Sequence, residues 1–321
     1  MDALAGLLDG PRARGAFLLR SVLDPPWSLR IQDRAPLTLV QVERSEAWIV
    51  PDEGEPRRLR PGDIAVLRGP DPYTIADDPA TEPQIVIHPG ELSTTPDGRE
   101  LCDDMDLGVR TWGDNPDGSA VLISGTYQLD GEVSRRLLAA LPQVLVLPAE
   151  AWSSPLPALL AEEIGRDEPG QEVMLDRLLD LLLIAVLRAW FSRPEAGAPA
   201  WYRAQGDPVV GRALKLLDAD PARPWTVALL AAETGVSRAA LARRFTELVG
   251  EPPMAYLTGR RLSLAADLLC EPEATVGSVA RRVGYGSAFA LSTAFKRERG
   301  VSPQAHREGV RAGAPAPAGR G

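Results

Sequence analysis

Two sets of side chains, fifty residues apart, have the chemistry to read base edges in duplex DNA. Ser237, Arg238, Ala239, Arg243 and Arg244 form the first set; Ser287, Ala288, Phe289, Thr293 and Lys296 form the second. An arginine can donate two N–H groups to guanine O6 and N7, the commonest specific contact in a major groove, and an apolar ring can touch the thymine methyl. Arg243 is the candidate for the bidentate contact. Arg238 and Arg244 could serve bases or phosphates. Phe289 could meet a thymine methyl or pack inside its own domain. Thr293 stands at the position of Arg243 and offers only a hydroxyl and a methyl.

Such residues read a groove only when the end of a helix carries them, and the flanking sequence supplies that helix twice. The first copy is Val227, Leu230, Ala231, Gly235, Val236 and Ser237, then Leu241, Phe245, Gly250 and Pro253. The second is Val276, Val279, Ala280, Gly284, Tyr285, Gly286 and Ser287, then Leu291, Phe295, Gly300 and Pro303. The offset is 49 before the turn and 50 after it, so the second turn holds one extra residue. Each copy is an apolar-periodic segment, a glycine turn, a serine at the N-cap and a second apolar-periodic segment, which spells a helix-turn-helix. In the first reading helix Leu241, Phe245 and Leu248 fall at i, i+4 and i+7 and predict the buried face. Leu291 and Phe295 do the same in the second, leaving Ala288, Phe289, Ser292 and Thr293 outward. Met254–Leu269 forms one amphipathic pattern between the copies.

The charge balance fits a DNA-reading end on a separate regulatory end. The chain carries a net charge of −9, yet residues 207–307 hold 14 basic and 10 acidic side chains. Residues 1–206 hold 19 basic and 33 acidic ones. A local positive surplus is an electrostatic footprint for a polyanion. No run of about 18 apolar residues predicts a membrane span, and no basic-then-apolar start predicts a signal peptide. With two cysteines far apart, Cys102 and Cys270, a reducing cytoplasmic setting is expected.

Upstream, short apolar or alternating runs predict strands at Ala16–Leu19, Leu37–Val42, Ala47–Val50, Ile64–Leu67, Gln84–Ile87 and Ala120–Leu129, a spacing that suits a β-sandwich or barrel. Residues 92–118 read as loop. Helices are expected over Glu132–Leu141, Leu156–Ile164 and Glu172–Phe191. The last is apolar nearly all round, so it either packs on the barrel or lies between subunits. Arg193–Gly206 reads as a linker, Asp207-Pro208 as a helix start with Asp at the N-cap and Pro at N1, and the end of the chain as a disordered tail.

Residues 207–307 resemble the DNA-binding domain of AraC-type transcription regulators. The closing signature is Gly284-Tyr285-Gly286-Ser287, then Ala294-Phe295-Lys296-Arg297, then Gly300-Val301-Ser302-Pro303 with Arg307. Arg58–Pro70, with its Pro61-Gly62-Asp63 turn, resembles the strand-turn-strand of a cupin barrel over roughly residues 15–125. The resemblance implies one recognition helix per unit, both entering successive major-groove faces on one side of bent DNA. It also implies an effector-sensing or dimerising N-terminal half. Three positions depart from the family: Thr293, Arg260 where Trp is frequent, and His306 where an aromatic often stands.

Other chemistry finds less support. Metal-binding cupins gather two or three His and a Glu on one ion, but this chain has two His in all, and His306 lies in the DNA-binding end. His88 alone does not make such a site. Cys102 with Asp103, Asp104 and Asp106 reads as a solvated loop, and Cys270 beside Glu271 as a thiol without a role. No nucleophile elbow, P-loop or dinucleotide fingerprint occurs.

The expected fold is multi-domain α+β: an N-terminal cupin-like β-barrel with flanking helices over residues 1–192, a linker over 193–206, an all-α tandem helix-turn-helix domain over 207–307, and a disordered tail over 308–321. The expected function is a sequence-specific transcription regulator with no catalytic activity, metal or cofactor. Its partners are double-stranded operator DNA, RNA polymerase, a second copy of the chain and a small-molecule effector. The alternative is a cupin-type enzyme fused to a DNA-binding domain.

Overall fold

The computed structural model describes residues 17–90, 92–127, 137–193, 198–271 and 273–313. They divide into two compact units, residues 17–127 with 138–193 and residues 198–313.

The first unit is built on thirteen described strands: β1 (Phe17–Leu23), β2 (Ser28–Ile31), β3 (Leu37–Arg44), β4 (Ala47–Pro51), β5 (Arg57–Leu59), β6 (Ile64–Arg68), β7 (Tyr73–Ala76), β8 (Ile85–Ile87), β9 (Ser93–Thr94), β10 (Asp106–Gly108), β11 (Thr111–Gly113), β12 (Ala120–Tyr127) and β13 (Val144–Leu147). One sheet runs β10-β11-β1-β12-β3-β6-β13 and the other β5-β4-β7-β2-β8-β9. Pairing is antiparallel except for β1 with β11 and β2 with β8. The expected barrel is therefore an open sandwich. Its edge strands are two to four residues long, too short to carry pairing from one sheet round to the other. The Pro61-Gly62-Asp63 turn moves the chain between the sheets, from β5 to β6. Asp63 is buried there, its carboxylate accepting the Arg60 amide at 2.9 Å and the Ala149 amide at 2.9 Å.

Period-two alternation sorts the side chains of the seven-stranded sheet. Val40, Val42, Ala65, Leu67, Ala120 and Leu122 join Trp27, Leu29, Ile49, Leu59 and Ile75 in the core between the sheets. The opposite face is buried as well, which is why β3 reads as six buried residues in succession. Helices cover it: α1 (Leu156–Glu163) and α2 (Gln171–Phe191). Gln41 donates to the Pro157 carbonyl at 3.1 Å, and the Tyr127 hydroxyl donates to the Leu179 carbonyl at 2.7 Å. Helix α2 buries Leu175, Leu179, Leu182, Leu183, Val186, Leu187 and Phe191. Val173, Met174 and Leu181 on the same helix stay exposed.

The second unit is helical: α3 (Ala200–Arg203), α4 (Val210–Ala219), α5 (Val227–Thr234), α6 (Arg238–Val249), α7 (Pro253–Leu269), α8 (Val276–Arg282), α9 (Ala288–Arg299) and α10 (Pro303–Gly313). Three expected segments differ from the structure. The segment expected as a linker holds α3 and a 3-10 turn over Ala204–Gly206, and both pack on α6. Gly211 permits the close fit, since a Cβ there would stand 2.3 Å from the Gln205 carbonyl oxygen. The tail expected to be disordered from residue 308 is helical through Gly313. The loop expected over 92–118 holds β9, β10 and β11. The helix expected over Glu132–Leu141 begins outside the described residues, and residues 137–139 are helical.

Candidate nucleic-acid interface

Helices α5 and α6 form the first helix-turn-helix. Thr226 caps α5 through the Leu229 amide at 3.1 Å. Gly235 ends it in the left-handed region at φ 72°. Ser237 caps α6 through the Ala240 amide at 3.2 Å. Each cap satisfies an amide the helix leaves open and is worth about 1 kcal/mol. Leu241, Phe245 and Val249 are buried. The face is thus i, i+4 and i+8, and Leu248, expected inside, is 37% exposed.

The second unit repeats the geometry. Thr275 and Ser278 make a reciprocal capping box at the start of α8. Gly284 turns the chain at φ 82°, where a Cβ would also lie 2.5 Å from the Ala222 carbonyl oxygen. Ser287 caps α9 through the Ala290 amide at 3.1 Å, with Leu291 and Phe295 buried. Helix α7 packs against α6, α8, α9 and α10. Its 17 residues span about 25 Å at 1.5 Å per residue.

The candidate residues separate by what they touch. Arg238, Ala239, Arg243, Ala288, Phe289, Thr293 and Lys296 are all exposed on the reading helices. The Arg243 side chain is 78% exposed, its guanidinium 3.8 Å from Glu247 one turn on. Phe289 is 81% exposed, so it does not pack inside the domain. Ser237 and Ser287 are exposed but their hydroxyls already serve the caps.

Arg244 is engaged within its own domain. Its Nε and Nη2 donate to Asp207 Oδ2 at 2.9 and 2.6 Å. It sits about 100° round the helix from Arg243, toward the start of α4 rather than toward the reading face. Asp207, expected as the N-cap there, sits in the turn that leads into α4, whose N-cap is Val209, and its Oδ1 accepts the Val209 and Val210 amides at 3.0 and 2.9 Å. Burial raises the Asp207 pKa, but the Arg244 hydrogen bond and the two amides outweigh it and hold the carboxyl below its ordinary value. Arg244 therefore ties α6 to α4. Asp207, Val209, Val236, Ala240, Arg243 and Leu248 line a cleft of about 340 Å³ beside it.

Two further exposed cations lie on α8 and α9 and are not among the expected site residues. Arg281 lies in the last turn of α8 and Arg297 follows Lys296 on α9; neither they, Arg238 nor Lys296 form an ion pair among the described residues. Comparing the two copies position by position marks Arg297, because the first copy has Glu247 there.

The chain is similar to known proteins in both of its halves. Residues 2–192 match the model of a cupin family, and residues 230–309 match that of a helix-turn-helix domain. An AraC-like transcription regulator of Streptomyces lividans is 33% identical over 96% of this chain and 98% of its own length. The chain belongs to the AraC family of transcription regulators. The regulator AlkR of Acinetobacter baylyi is 27% identical over 96% of this chain and 99% of its own. Among solved structures, the DNA-binding domain of AdpA in complex with a target DNA is 34% identical. It covers 33% of this chain and 96% of that one, with a TM-score of 0.31.

Within the AraC family pattern, two departures have structural answers. Arg260 lies buried in α7 with its Nε 3.6 Å from Asp218 of α4, and the Tyr256 hydroxyl donates to the same carboxylate at 3.1 and 3.2 Å. His306 replaces the usual aromatic and packs edge-on against Phe295, ring centroids 5.5 Å apart. Arg307 holds the end of α7, donating to the Leu269 carbonyl at 2.8 Å and to the Ala274 carbonyl.

Outside this AraC-type unit, His88 Nε2 lies 2.9 Å from the Thr94 hydroxyl and Cys102 Sγ lies 3.3 Å from the Ser93 hydroxyl. Arg99 holds Asp104 at 2.8 Å. Among the described residues no group of three or more His, Cys, Asp or Glu could hold a metal ion. No described helix is long and apolar enough to cross a membrane.

Proposed function

We propose that this AraC-family regulator reads its operator through Arg238, Ala239 and Arg243 of α6 and through Ala288, Phe289, Thr293 and Lys296 of α9. Ser237, Ser287, Arg281 and Arg297 add backbone or phosphate contacts. The observation that carries the reading is a pair of serine-capped helices with matching buried faces and outward residues left exposed. Arg243 takes the bidentate guanine contact. Arg244 acts through Asp207 as a positioning residue.

The rest of the assignment rests on the first unit. Residues 1–192 sense a small molecule and dimerise, and residues 207–307, with 198–206 packed on them, bind DNA. The regulator works in the cytoplasm and acts on RNA polymerase at its promoters. Exposed Val173, Met174 and Leu181 on α2 support a homodimer, since an apolar stripe left in water favours a second copy. A non-enzymatic role is favoured by the donor set: His88 is engaged with Thr94, and the acidic run near Cys102 gathers no histidine.

Selection from a random duplex pool with the full chain tests the proposal. One enriched motif is expected, with log affinity falling linearly against log salt as phosphate contacts release counterions. No enrichment above random DNA overturns it.

A further inference from the structure

The two reading helices present opposite chemistry at matching positions. Arg238 and Arg243 in α6 correspond to Ala288 and Thr293 in α9, and Ala239 corresponds to Phe289. Phe289 is 81% exposed, more than any other large apolar side chain among the described residues. Ala288 and Ala290 beside it are also exposed. Leu291 and Phe295, on the other side of the helix, are fully buried. A phenyl ring held in water by a fully capped helix is an apolar surface without a cover.

The occupant follows from where this surface lies. It occupies the first turn of a helix whose equivalent, α6, carries Arg243 at its own reading face. Thr293 continues the face one turn on. Lys296 and Arg297 sit exposed beyond it, without ion pairs among the described residues, and attract a polyanion. In a major groove the apolar feature on a base pair is the C5-methyl of thymine. We propose that α9 recognises thymine C5-methyl groups by apolar contact through Phe289, flanked by Ala288 and Ala290, rather than by hydrogen bonds to base edges. The proposal rests on the reading that this face enters the groove. It adds that one half of the operator is read by methyl groups and the other by guanine acceptors. A 5-methylcytosine places the same methyl at the same ring position, so it substitutes for thymine there, whereas uracil does not.

The test uses the full chain and the operator obtained by selection, with footprinting to locate each half. Each thymine in the α9 half is replaced singly by uracil, which removes the methyl and nothing else. Wild type should lose about fourfold in affinity at one or two of these positions, the worth of one buried methyl-sized group. Replacing the sensitive T·A pair by 5-methylcytosine·G should bind more tightly than by C·G. Phe289→Ala should abolish the uracil penalty, and Phe289→Leu should keep most of it; the exposed ring can be removed without disturbing the core, and unchanged melting verifies that. Uracil substitutions without effect on wild type overturn the proposal. So does a Phe289→Ala variant that loses affinity equally on thymine and uracil operators, the result for a ring wedged between base steps. A chain that enriches no sequence at all overturns the DNA-reading assignment instead, a different outcome from a bound operator indifferent to its methyls.

Discussion

Replacing Asp207 should loosen the first reading helix at its anchor without touching its outward face. The carboxylate does two jobs: Oδ1 accepts the Val209 and Val210 amides in the turn that leads into α4, and Oδ2 holds Arg244 of α6. Asparagine keeps a capping oxygen and loses the charge; alanine loses both. The Arg244 side chain is 50% exposed, so water screens the ion pair to about 0.5 kcal/mol. A lost cap adds about 1 kcal/mol. Asp207→Asn should then destabilise the α4–α6 contact by about 0.5 kcal/mol and Asp207→Ala by about 1.5 kcal/mol. Amide hydrogen exchange over residues 210–219 and 238–249 of the full chain reads the difference. Exchange should rise about twofold in the first variant and about tenfold in the second. The pH dependence has a definite sign. The folded Asp207 pKa lies below the ordinary 3.8, so its contribution is complete above that value and is lost as pH falls through the lower folded one. Equal exchange in the Asn and Ala variants refutes the capping argument. Wild-type exchange in both refutes the anchor altogether.

Three further outcomes are expected. Arg243→Ala should erase preference at one base pair, at a cost of about 1–3 kcal/mol in affinity, while Thr293→Ala changes specificity little; selection with each variant compares them, and equal damage from Thr293→Ala refutes the asymmetry. Leu181→Glu places a charge in the exposed stripe of α2 and should convert the proposed dimer to a monomer in light scattering, with the fold retained by circular dichroism. Arg260→Ala leaves the Asp218 carboxylate buried without its cation and should destabilise the helical unit by about 3–5 kcal/mol, measured by denaturant unfolding; a loss below 1 kcal/mol would mean the pair is already solvated.

The reading unit was legible because its signals are local. A glycine, a capping serine and an i, i+4 apolar pair lie within a dozen residues of one another in each copy. What the sequence did not show is non-local or short. Arg244 finds its partner 37 residues back, at Asp207, and no spacing within α6 announces that. Val249 displaces Leu248 from the core because a helix turns 3.6 residues per turn, and i+7 and i+8 flank the same face. Strands such as Asp106–Gly108 and Thr111–Gly113 are three residues long with glycine at an end, so alternation never develops. Barrel closure depends on which edges pair, which the strand pattern does not encode. Helix α3, with four residues, is too short to show a period and is held by its contacts on α6.

Ser237 and Ser287, with the apolar pairs Leu241–Phe245 and Leu291–Phe295, fix both reading helices from behind. The outward residues therefore contribute almost nothing to folding, and each can change while the scaffold stays intact. Because the two helices are framed alike but separately, one can alter its preference without retuning the other. If each helix reads one half of the operator as proposed, a duplicated frame of this kind lets specificity change one half at a time, with partial affinity for the old site kept at every step.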